Sequence, residues 1–380
     1  MSLKIPHLSE ATADALLHDF VVTQRSRWSV IKASGATVRD YLQGQITQNM
    51  AKLTPTQGIH ACLLTPQGKA VTELYIFEGH HSELILLTPA SHAVATVGRL
   101  RQFALGHQLR IGVVDALAVC AVQGANAAEL LNSFDLAEPE GNWLSSSRHS
   151  CEESFAVVMP ERPRGFWIIS SSEKITQLLT QHKTADENEF EAMRIMRGFP
   201  DFGVEWDEST HPLNANLIEF DGVSFDKGCY VGQEVTARMN WRGGIKKKLY
   251  RVAIDGRPTT LPCPVLTSSK IGELKSAAID HESNCIGIAL RPIEIAESDA
   301  TLALDADDEI LIQRLLERGK VSGRTDDQDE SKIRNRFEEY NQKTAPLQAF
   351  YEKQGKYHSV NGIGAIEDIT RRLGKVIEEL

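Results

Sequence analysis

The sequence predicts an α+β protein with several domains. Its 380 residues are enough for two or three domains. Patterns of strand, helix, hairpin, strand and helix follow one another along the first third of the chain, which is typical of α+β folds. The composition then changes near Asp299: 30 of the last 82 residues are charged, against 62 of the 298 before them. This change indicates a domain junction.

The first third of the chain supplies the first strands and helices. Weak alternation predicts a strand over residues 28–32, and apolar residues at helical spacing predict an amphipathic helix over residues 36–50. That spacing is carried by Val38, Tyr41, Leu42, Ile46 and Met50. Residues 60–79 read as two strands joined by a turn at residues 66–68, and residues 83–89 as another strand. A helix is predicted to follow Ser91 and to end near Gly106.

A second unit of similar kind is predicted to follow. Its strands are expected near residues 117–122, 155–159 and 165–169, and its main helix covers residues 187–196 and is closed by Gly198. Residues 247–254 begin a β-rich stretch with Gly and Pro turns, which predicts a small barrel. The predicted domains are an N-terminal α+β domain (1–115), a second α+β domain (116–245), the barrel (246–300) and a C-terminal segment (301–380).

Charge and cysteine usage narrow the class of protein. The formal net charge is -10, so the whole molecule is not expected to bind nucleic acid or an anionic membrane. The N-terminus has no signal or transit pattern, and no apolar run approaches the ~20 residues that span a bilayer. The six cysteines are scattered, which predicts free thiols in a reducing, cytoplasmic compartment and no self-contained metal site. They are Cys62, Cys120, Cys151, Cys229, Cys263 and Cys285.

The motif DKGCYVGQEV surrounds Cys229 with chemistry-bearing residues. Lys227 lies two residues earlier, and in an extended segment both side chains would share one face. A nearby cation favours the thiolate, which is the reactive form of cysteine. The alternative is that Cys229 is a small buried apolar residue and Lys227 a solvated charge. The motif also contains two glycines and three polar or aromatic residues: Gly228, Gly232, Tyr230, Gln233 and Glu234.

The order of short motifs resembles the YgfZ-type folate-binding proteins, relatives of the glycine-cleavage T protein that assist iron–sulfur enzymes. The resemblance rests on RIMRGFPDFGVE (194–205), PLN (212–214), KGCYVGQE (227–234) and Ala237-Arg238, together with LQGQITQN (42–49) and LLTPQGKAVTEL (63–74). It covers roughly residues 25–295. It implies a ring of ferredoxin-like domains around a central channel, followed by a small C-terminal β-barrel.

The same resemblance implies a function for the motif. Cys229 matches the family's functional cysteine, either as one cluster ligand completed by a partner or as a redox group for repair. Lys227 belongs to the same catalytic pair, and Arg238 and Lys247 extend the match. Tetrahydrofolate is the implied cofactor. Because folate joins a flat pterin to an anionic tail, Glu219, Arg194 and Arg197 are candidate ligands, with ordinary helix and loop surface as the alternative.

The stretch WRGGIKKKLYR (241–251) is the dense basic run in the first 300 residues. A basic run beside Trp241 and Tyr250 is compatible with nucleic-acid binding. Gly243-Gly244 reads as a turn and the net charge is negative, so a solvated turn before a barrel strand is the preferred prediction. No direct contact with nucleic acid is therefore expected. The sequence also has no GxSxG or HExxH motif.

The C-terminal segment has a different character. By pattern, the chain from Leu304 reads as helix, polar loop, long helix, a short strand at residues 358–360 and a last helix. RLLERGKVSGRTDD, NRFEEY, TAPLQAFYEKQGK and VNGIGAIEDI together resemble the C-terminal part of a short-lid adenylate kinase, an α-rich fragment. Arg318, Arg324 and Arg336 match that family's phosphate-contacting arginines. The GxxxxGK[ST] loop that cradles phosphates occurs nowhere in the chain, and the sequence fits a natural fusion as well as an artificial joining.

Three functions follow in order. The first is a folate-binding accessory factor for iron–sulfur cluster assembly or repair, which serves tRNA modification indirectly through iron–sulfur enzymes. Its expected partners are those enzymes or cluster carriers, and folate. The second is a folate-dependent one-carbon transferase of the aminomethyltransferase type, which would need a carboxylate rather than a thiolate. The third is a nucleotide-binding protein that uses the C-terminal arginines, without adenylate kinase activity.

Overall fold

Antiparallel strands and short helices alternate along most of the chain. The computed structural model describes residues 3–150, 153–159, 165–254, 256–266, 271–293, 301–305, 334 and 357–361. The strands are β1 (Val21–Gln24), β2 (Trp28–Ser34), β3 (Ile59–Leu64), β4 (Ala70–Glu78), β5 (Leu84–Pro89), β6 (Arg110–Val113), β7 (Leu117–Gln123), β8 (Ser146–Arg148), β9 (Phe155–Val158), β10 (Gly165–Ser171), β11 (Lys247–Ile254), β12 (Cys263–Leu266), β13 (Ile271–Ile279), β14 (Cys285–Pro292), β15 (Thr301–Asp305) and β16 (Tyr357–Asn361). The helices are α1 (Glu10–His18), α2 (Val38–Gln43), α3 (Ala93–Gln102), α4 (Ser172–Gln181), α5 (Glu187–Arg197) and α6 (Gln233–Trp241).

The chain divides into two compact units. The first contains residues 1–265 and 271–292, and the second contains residues 266–270 and 293–380. In the second unit the described strands β15 and β16 form a parallel pair, in which Leu302 is opposite His358. The predicted strand at residues 358–360 is therefore confirmed within β16, whereas β15 was not predicted. The predicted helices of the C-terminal segment lie outside the described residues.

Two five-stranded antiparallel sheets form the body of the first unit. Their strand orders are β3-β4-β5-β2-β6 and β1-β7-β10-β9-β8. Successive residues of a strand point to opposite faces, and both faces of the first sheet are buried. Ile31, Leu63 and Ile76 lie in a core cluster with α2 and α3, whereas Val30, Cys62 and Tyr75 lie in a cluster that also contains residues of the second sheet. The α+β prediction is confirmed.

The second sheet reaches back to the start of the chain. β1 pairs with β7, with Val22 opposite Val122, so residues 21–24 belong to this sheet although they fall in the range predicted for the N-terminal domain. The predicted domain boundary at residue 115 does not hold for this strand. A four-residue strand with no other antiparallel neighbour gives little sequence signal. α5 follows the sheet as predicted, with a capping box at Asp186 and Glu189 and a left-handed Gly198 at its C-terminus.

A third, four-stranded antiparallel sheet occupies the region where the sequence predicts a barrel. Its order is β11-β14-β13-β12, and β14 pairs with β11 on one side and β13 on the other. Closure into a barrel is not shown by the described residues, and the ring arrangement of the domains stays a prediction. No helix in the described part of the chain is both long and apolar enough to cross a membrane.

Candidate functional site

Cys229 lies on an exposed loop between the second sheet and α6. Of the five cysteines that the structure describes, Cys62, Cys120 and Cys285 are buried, Cys263 is half-buried and Cys229 is exposed. Burial raises the pKa of the Cys120 thiol to about 12, so that side chain stays a neutral thiol. The alternative of Cys229 as a buried filler is therefore wrong, and Cys229 is the exposed thiol among the described cysteines.

Lys227 is buried beneath the same loop. Its Nζ donates hydrogen bonds to the carbonyl oxygens of Gln43 at 2.6 Å, Ile46 at 2.6 Å and Gln48 at 2.9 Å. An ammonium group has three N–H donors, and these three bonds use all of them. Nζ also lies 4.8 Å from the centre of the Tyr230 ring. Burial lowers the pKa of Lys227 to about 8.

The prediction that Lys227 and Cys229 share one face is wrong. Lys227 is 7% exposed, whereas Cys229 is exposed at the surface. The segment is not an extended strand: it turns at residues 226–232, and α6 begins directly after Gly232. The donors of Lys227 are directed at backbone carbonyls, so this residue holds the loop in place and does not assist the thiol directly.

The segment before Lys227 is tied to the loop that follows α2. Thr47 Oγ1 donates to the carbonyl oxygen of Gly222 at 2.6 Å, and the backbone N–H of Ser224 donates to the Thr47 carbonyl at 3.0 Å. Ring nitrogen Nδ1 of the buried His60 lies 3.0 Å from the carbonyl oxygen of Phe220. Residues 220–227 are therefore held by residues that precede them by more than 150 positions.

Two glycines allow α6 to approach the end of β3. Gly232 has φ +84, and a Cβ there would lie 2.6 Å from the carbonyl oxygen of Thr65. Gly68 has φ +71, and its Cβ would lie 2.9 Å from Cβ of Val235. Both positions need glycine, because side chains rarely adopt a positive φ and these contacts are too short. Gly228 differs, since a Cβ there would meet no atom within 4 Å.

The remaining motif residues have separate environments. Tyr230 is buried and burial raises its pKa to about 12. Gln233 is half-buried at the start of α6. Glu234 and Arg238 are exposed and form an ion pair at 2.6 Å one helical turn apart. Such surface pairs contribute little to stability, so the structure gives neither residue a direct role beside Cys229.

A second region of the first unit has the character of a ligand site. A cavity of about 30 Å³ has Trp28 and Trp167 in its walls, and a neighbouring cleft of about 320 Å³ shares Trp28 and Asp201 with it. The smaller space can hold a water molecule or two, whereas the cleft is at the lower end of the range for small-molecule pockets. Aromatic walls with a few polar groups are typical of such pockets.

The polar side of this region is a buried ion network. Arg194 donates to Glu191 at 2.7 and 3.1 Å, to Glu205 at 2.9 and 3.0 Å and to the Phe199 carbonyl at 2.6 Å. These contacts use all five guanidinium donors. Burial acts to lower the pKa of Arg194, but the carboxylates of Glu205 and Glu191 raise it well above its usual range. Arg194 therefore stabilises the fold and has no donor left for a ligand.

Asp201 and Gln123 are the less satisfied polar groups of this region. Asp201 is 4% exposed, and its nearest cation is Arg25, whose Nη2 lies 3.6 Å from Oδ2. Burial raises the pKa of Asp201 well above its usual range, although Arg194 acts to lower it. The Oε1 of Gln123 is buried and has no hydrogen-bond partner among the described residues. Both side chains line the small cavity and are available to a bound molecule.

The predicted folate ligands do not come together. Arg194 and Arg197 line the small cavity, but Glu219 is exposed elsewhere and is bonded to Lys248. Sequence reasoning missed the aromatic and polar walls, namely Trp28, Trp167, Gln123, Asp201 and Arg25. Asp201 alone carried a signal, because it lies inside the RIMRGFPDFGVE motif. The described residues contain no group of three or more His, Cys, Asp or Glu that could hold a metal ion. Arg318, Arg324 and Arg336 lie outside the described residues.

Known proteins resemble the two parts of the chain separately. The tRNA-modifying protein YgfZ of Hamiltonella defensa is 27% identical over 286 residues, which cover 73% of this chain and 80% of that protein. The YgfZ of Aliivibrio fischeri is 26% identical over 310 residues, which cover 78% and 92%. The adenylate kinase of Flavobacterium psychrophilum is 67% identical over 84 residues, and that of Flavobacterium johnsoniae is 48% identical over 132 residues.

The chain joins a YgfZ-like region to a region that belongs to the adenylate kinase family. The chain spans 44% of the length of the Flavobacterium psychrophilum enzyme and 69% of the Flavobacterium johnsoniae enzyme. The second alignment covers 32% of this chain, about 122 of 380 residues. It is therefore too long to be confined to residues 304–380, and the adenylate kinase likeness begins earlier than the sequence analysis predicts.

The fold of the YgfZ-like region has a solved counterpart. The glycine cleavage system aminomethyltransferase T from Bartonella henselae superposes with a TM-score of 0.61 over 72% of this chain and 79% of that protein, at 15% identity. At that identity the likeness shows the fold alone. No family model matches the sequence.

Proposed function

We propose that the chain is a folate-binding accessory factor for iron–sulfur cluster assembly or repair, and that it acts in tRNA modification through iron–sulfur enzymes. The observation that carries this proposal is the exposed thiol of Cys229, held on a loop by the three carbonyl bonds of Lys227. The curated YgfZ relatives are tRNA-modifying proteins by name, which supports the same assignment.

A single thiol explains why the role is accessory. Iron–sulfur clusters are commonly held by four cysteine thiolates, and the described cysteines other than Cys229 are wholly or partly buried. Cys229 can therefore supply one ligand, completed by a partner, or act as a redox group during repair. The loop is fixed from below by Lys227 while its outer side is exposed, so a partner protein can reach the thiol.

The cleft around Trp28 and Asp201 fits the pterin part of a tetrahydrofolate. Its volume of about 320 Å³ suits a flat heterocycle against the Trp28 ring. The Asp201 carboxyl group can accept hydrogen bonds from a pterin edge, and Arg27 in the same cleft is 39% exposed and can pair with the anionic tail. A bound tetrahydrofolate would supply a one-carbon carrier or a reductant.

Calorimetry tests the folate part of the proposal. Tetrahydrofolate should bind with micromolar affinity, about -8 kcal/mol, and should raise the melting temperature. Trp28→Ala should weaken binding about tenfold or more, because a buried aromatic wall is lost. Phe103→Ala is the control, since Phe103 is 51% exposed and does not line the cleft. The absence of both heat and thermal shift at millimolar ligand would refute folate binding.

Aminomethyl transfer is a second candidate because of one observation. Asp201 lies in the cleft and its pKa is raised by burial, so its carboxyl group can carry a proton near neutral pH. A one-carbon transferase needs such a group, whereas an accessory factor needs the thiol. Asp201→Asn should abolish folate-dependent turnover if the chain is a transferase. It should leave the rescue of iron–sulfur enzymes intact if Cys229 carries the function.

For the adenylate kinase-like region we propose nucleotide contact without catalysis. Phosphoryl transfer depends on positioning and electrostatic preorganisation, and the chain lacks the GxxxxGK[ST] loop that provides both. Purified protein, freed of host kinase, should show no conversion of ATP and AMP into ADP. Steady ADP formation that is lost in Arg324→Ala would overturn this expectation.

A further inference from the structure

The C-terminal end of α6 carries an unusual surface, here called the Trp241 patch. It consists of Arg238, Trp241, Arg242, Lys246 and Lys247. Trp241 is the last residue of α6 and is 74% exposed. Its one ring contact within the described chain is edge-to-face with Phe225, at 6.0 Å between centroids and 69° between planes. The indole is therefore not stacked on an aromatic ring of that part of the protein.

The charges of this patch are largely uncompensated. Arg242, Lys246 and Lys247 are exposed, and none of them has an ion-pair partner among the residues described. Arg238 is paired with the exposed Glu234, whereas Lys248, the next residue along, is paired with Glu219. Three neighbouring unpaired cations in a chain of net charge -10 form a local positive surface that attracts a polyanion.

We infer that the Trp241 patch binds single-stranded RNA, with a base stacked on Trp241 and phosphates held by Arg242, Lys246 and Lys247. Single-strand binding sites combine a positive groove with an exposed aromatic ring on which a base stacks. A protein interface would need a wider apolar patch, but the other large exposed apolar residues lie elsewhere. They are Leu17, Val94, Phe103 and Leu105.

This inference goes beyond the proposed function, in which tRNA is reached through other enzymes. The sequence analysis expected no direct nucleic-acid contact because of the net charge and the Gly243-Gly244 turn. The turn is present, with Gly243 at φ +66, but it leaves Trp241 exposed instead of packing it. α6 has nine residues and a length of about 13 Å, and Cys229 lies just before it. Bound RNA would therefore lie close to the thiol loop.

Fluorescence anisotropy with the full chain tests the inference. The probe is a fluorescein-labelled, unstructured 12-nucleotide RNA, titrated at 50 and 200 mM salt. Trp241→Ala should weaken binding by about fivefold to a hundredfold, since base–aromatic stacking is lost. Phe103→Ala, an exposed aromatic residue outside the patch, should bind as the wild type does. Lys246→Ala with Lys247→Ala should reduce the salt slope of log K by about 1.4, or about 0.7 for each lost phosphate contact on a single strand.

Three results would overturn the inference. They are no binding at 50 mM salt, unchanged affinity in Trp241→Ala, and equally tight binding of heparin that also depends on Trp241. A fourth is Trp241-dependent binding to phosphatidylserine vesicles without binding to RNA, which would identify a membrane surface. Cys229→Ala should retain the RNA affinity of the wild type, so a failure of the thiol function and a failure of RNA binding can be told apart.

Discussion

Lys227 and Arg194 are both buried cations, but the protein compensates them differently. Arg194 is 5% exposed and meets two carboxylates and one carbonyl. Lys227 is 7% exposed and meets three carbonyls and the Tyr230 ring. Accordingly, the carboxylates raise the pKa of Arg194 whereas burial lowers the pKa of Lys227 to about 8.

The difference separates a structural centre from an adjustable one. Removal of Arg194 would leave two buried carboxylates without their counter-ion, which is among the costliest changes in a protein interior. Removal of Lys227 would leave neutral carbonyls, and at the same time it would remove an ammonium group that is costly to bury. The Cys229 loop is therefore attached by a contact of moderate strength, while the cavity region is locked.

The largest effect is expected from Arg194→Met. This substitution should lower the free energy of unfolding by about 3–5 kcal/mol, the usual cost of breaking a buried ion pair. Urea unfolding monitored by circular dichroism measures it. Arg99→Met is a suitable control, because Arg99 is half-buried on α3 and bonds to the Leu64 carbonyl without a carboxylate. An equal loss in both variants would contradict the special status of Arg194.

Lys227→Met should have a smaller effect, about 1–3 kcal/mol, because it leaves buried carbonyls without a donor but no uncompensated charge. Hydrogen exchange should show the loss locally, as faster exchange across residues 43–49 and 226–232. Lys227→Arg supplies donors in a bulkier group and should recover part of the protection. If exchange in these two segments is unchanged in Lys227→Met, the carbonyl contacts do not hold the loop.

The pH dependence should be weaker than either substitution, because a pH change relieves the buried charge without removing the side chain. The pKa of Lys227 is about 8 in the folded protein and 10.5 for the ordinary side chain. Between these values the unfolded chain binds more protons, so a rise in pH favours the folded state. The stability of the wild type relative to Lys227→Met should therefore rise from pH 8 to pH 10. A flat or falling difference would show that the carbonyls keep Lys227 protonated.

The smallest effect is expected from Arg238→Ala. Arg238 and Glu234 are exposed, so their ion pair should contribute no more than about 0.5 kcal/mol. Thermal unfolding at low and high salt measures this contribution. A loss above about 1 kcal/mol would mean that this motif residue has a structural partner beyond Glu234.

The same contacts explain why part of the fold was predictable and part was not. The sequence predicted a helix over residues 36–50, but α2 ends at Gln43. Val38, Tyr41 and Leu42 are buried as helical spacing requires, whereas Ile46 and Met50 are buried in a loop. The loop's carbonyls bind Lys227, about 180 positions later. A local pattern cannot reveal such a distant donor, and the tertiary contact overrides helix propensity.

The site shows the same division. The motif pointed to Cys229 by residue type and order alone, and its exposure agrees with a functional thiol. The folate ligands were harder to predict because their candidates were chosen for charge. Arg194 is charged but fully occupied by Glu191 and Glu205, whereas the cleft is walled by Trp28. Whether a charged side chain is free for a ligand depends on partners that only the fold brings together.

The central claim is that the chain serves iron–sulfur enzymes through Cys229. The most direct measurement is the activity of an iron–sulfur tRNA-modifying enzyme in cells that lack the endogenous factor. The wild type and Cys263→Ala, which removes a half-buried thiol, should restore that activity. Cys229→Ala should fail to restore it although its melting temperature and cellular level match the wild type. Full restoration by Cys229→Ala would contradict the account.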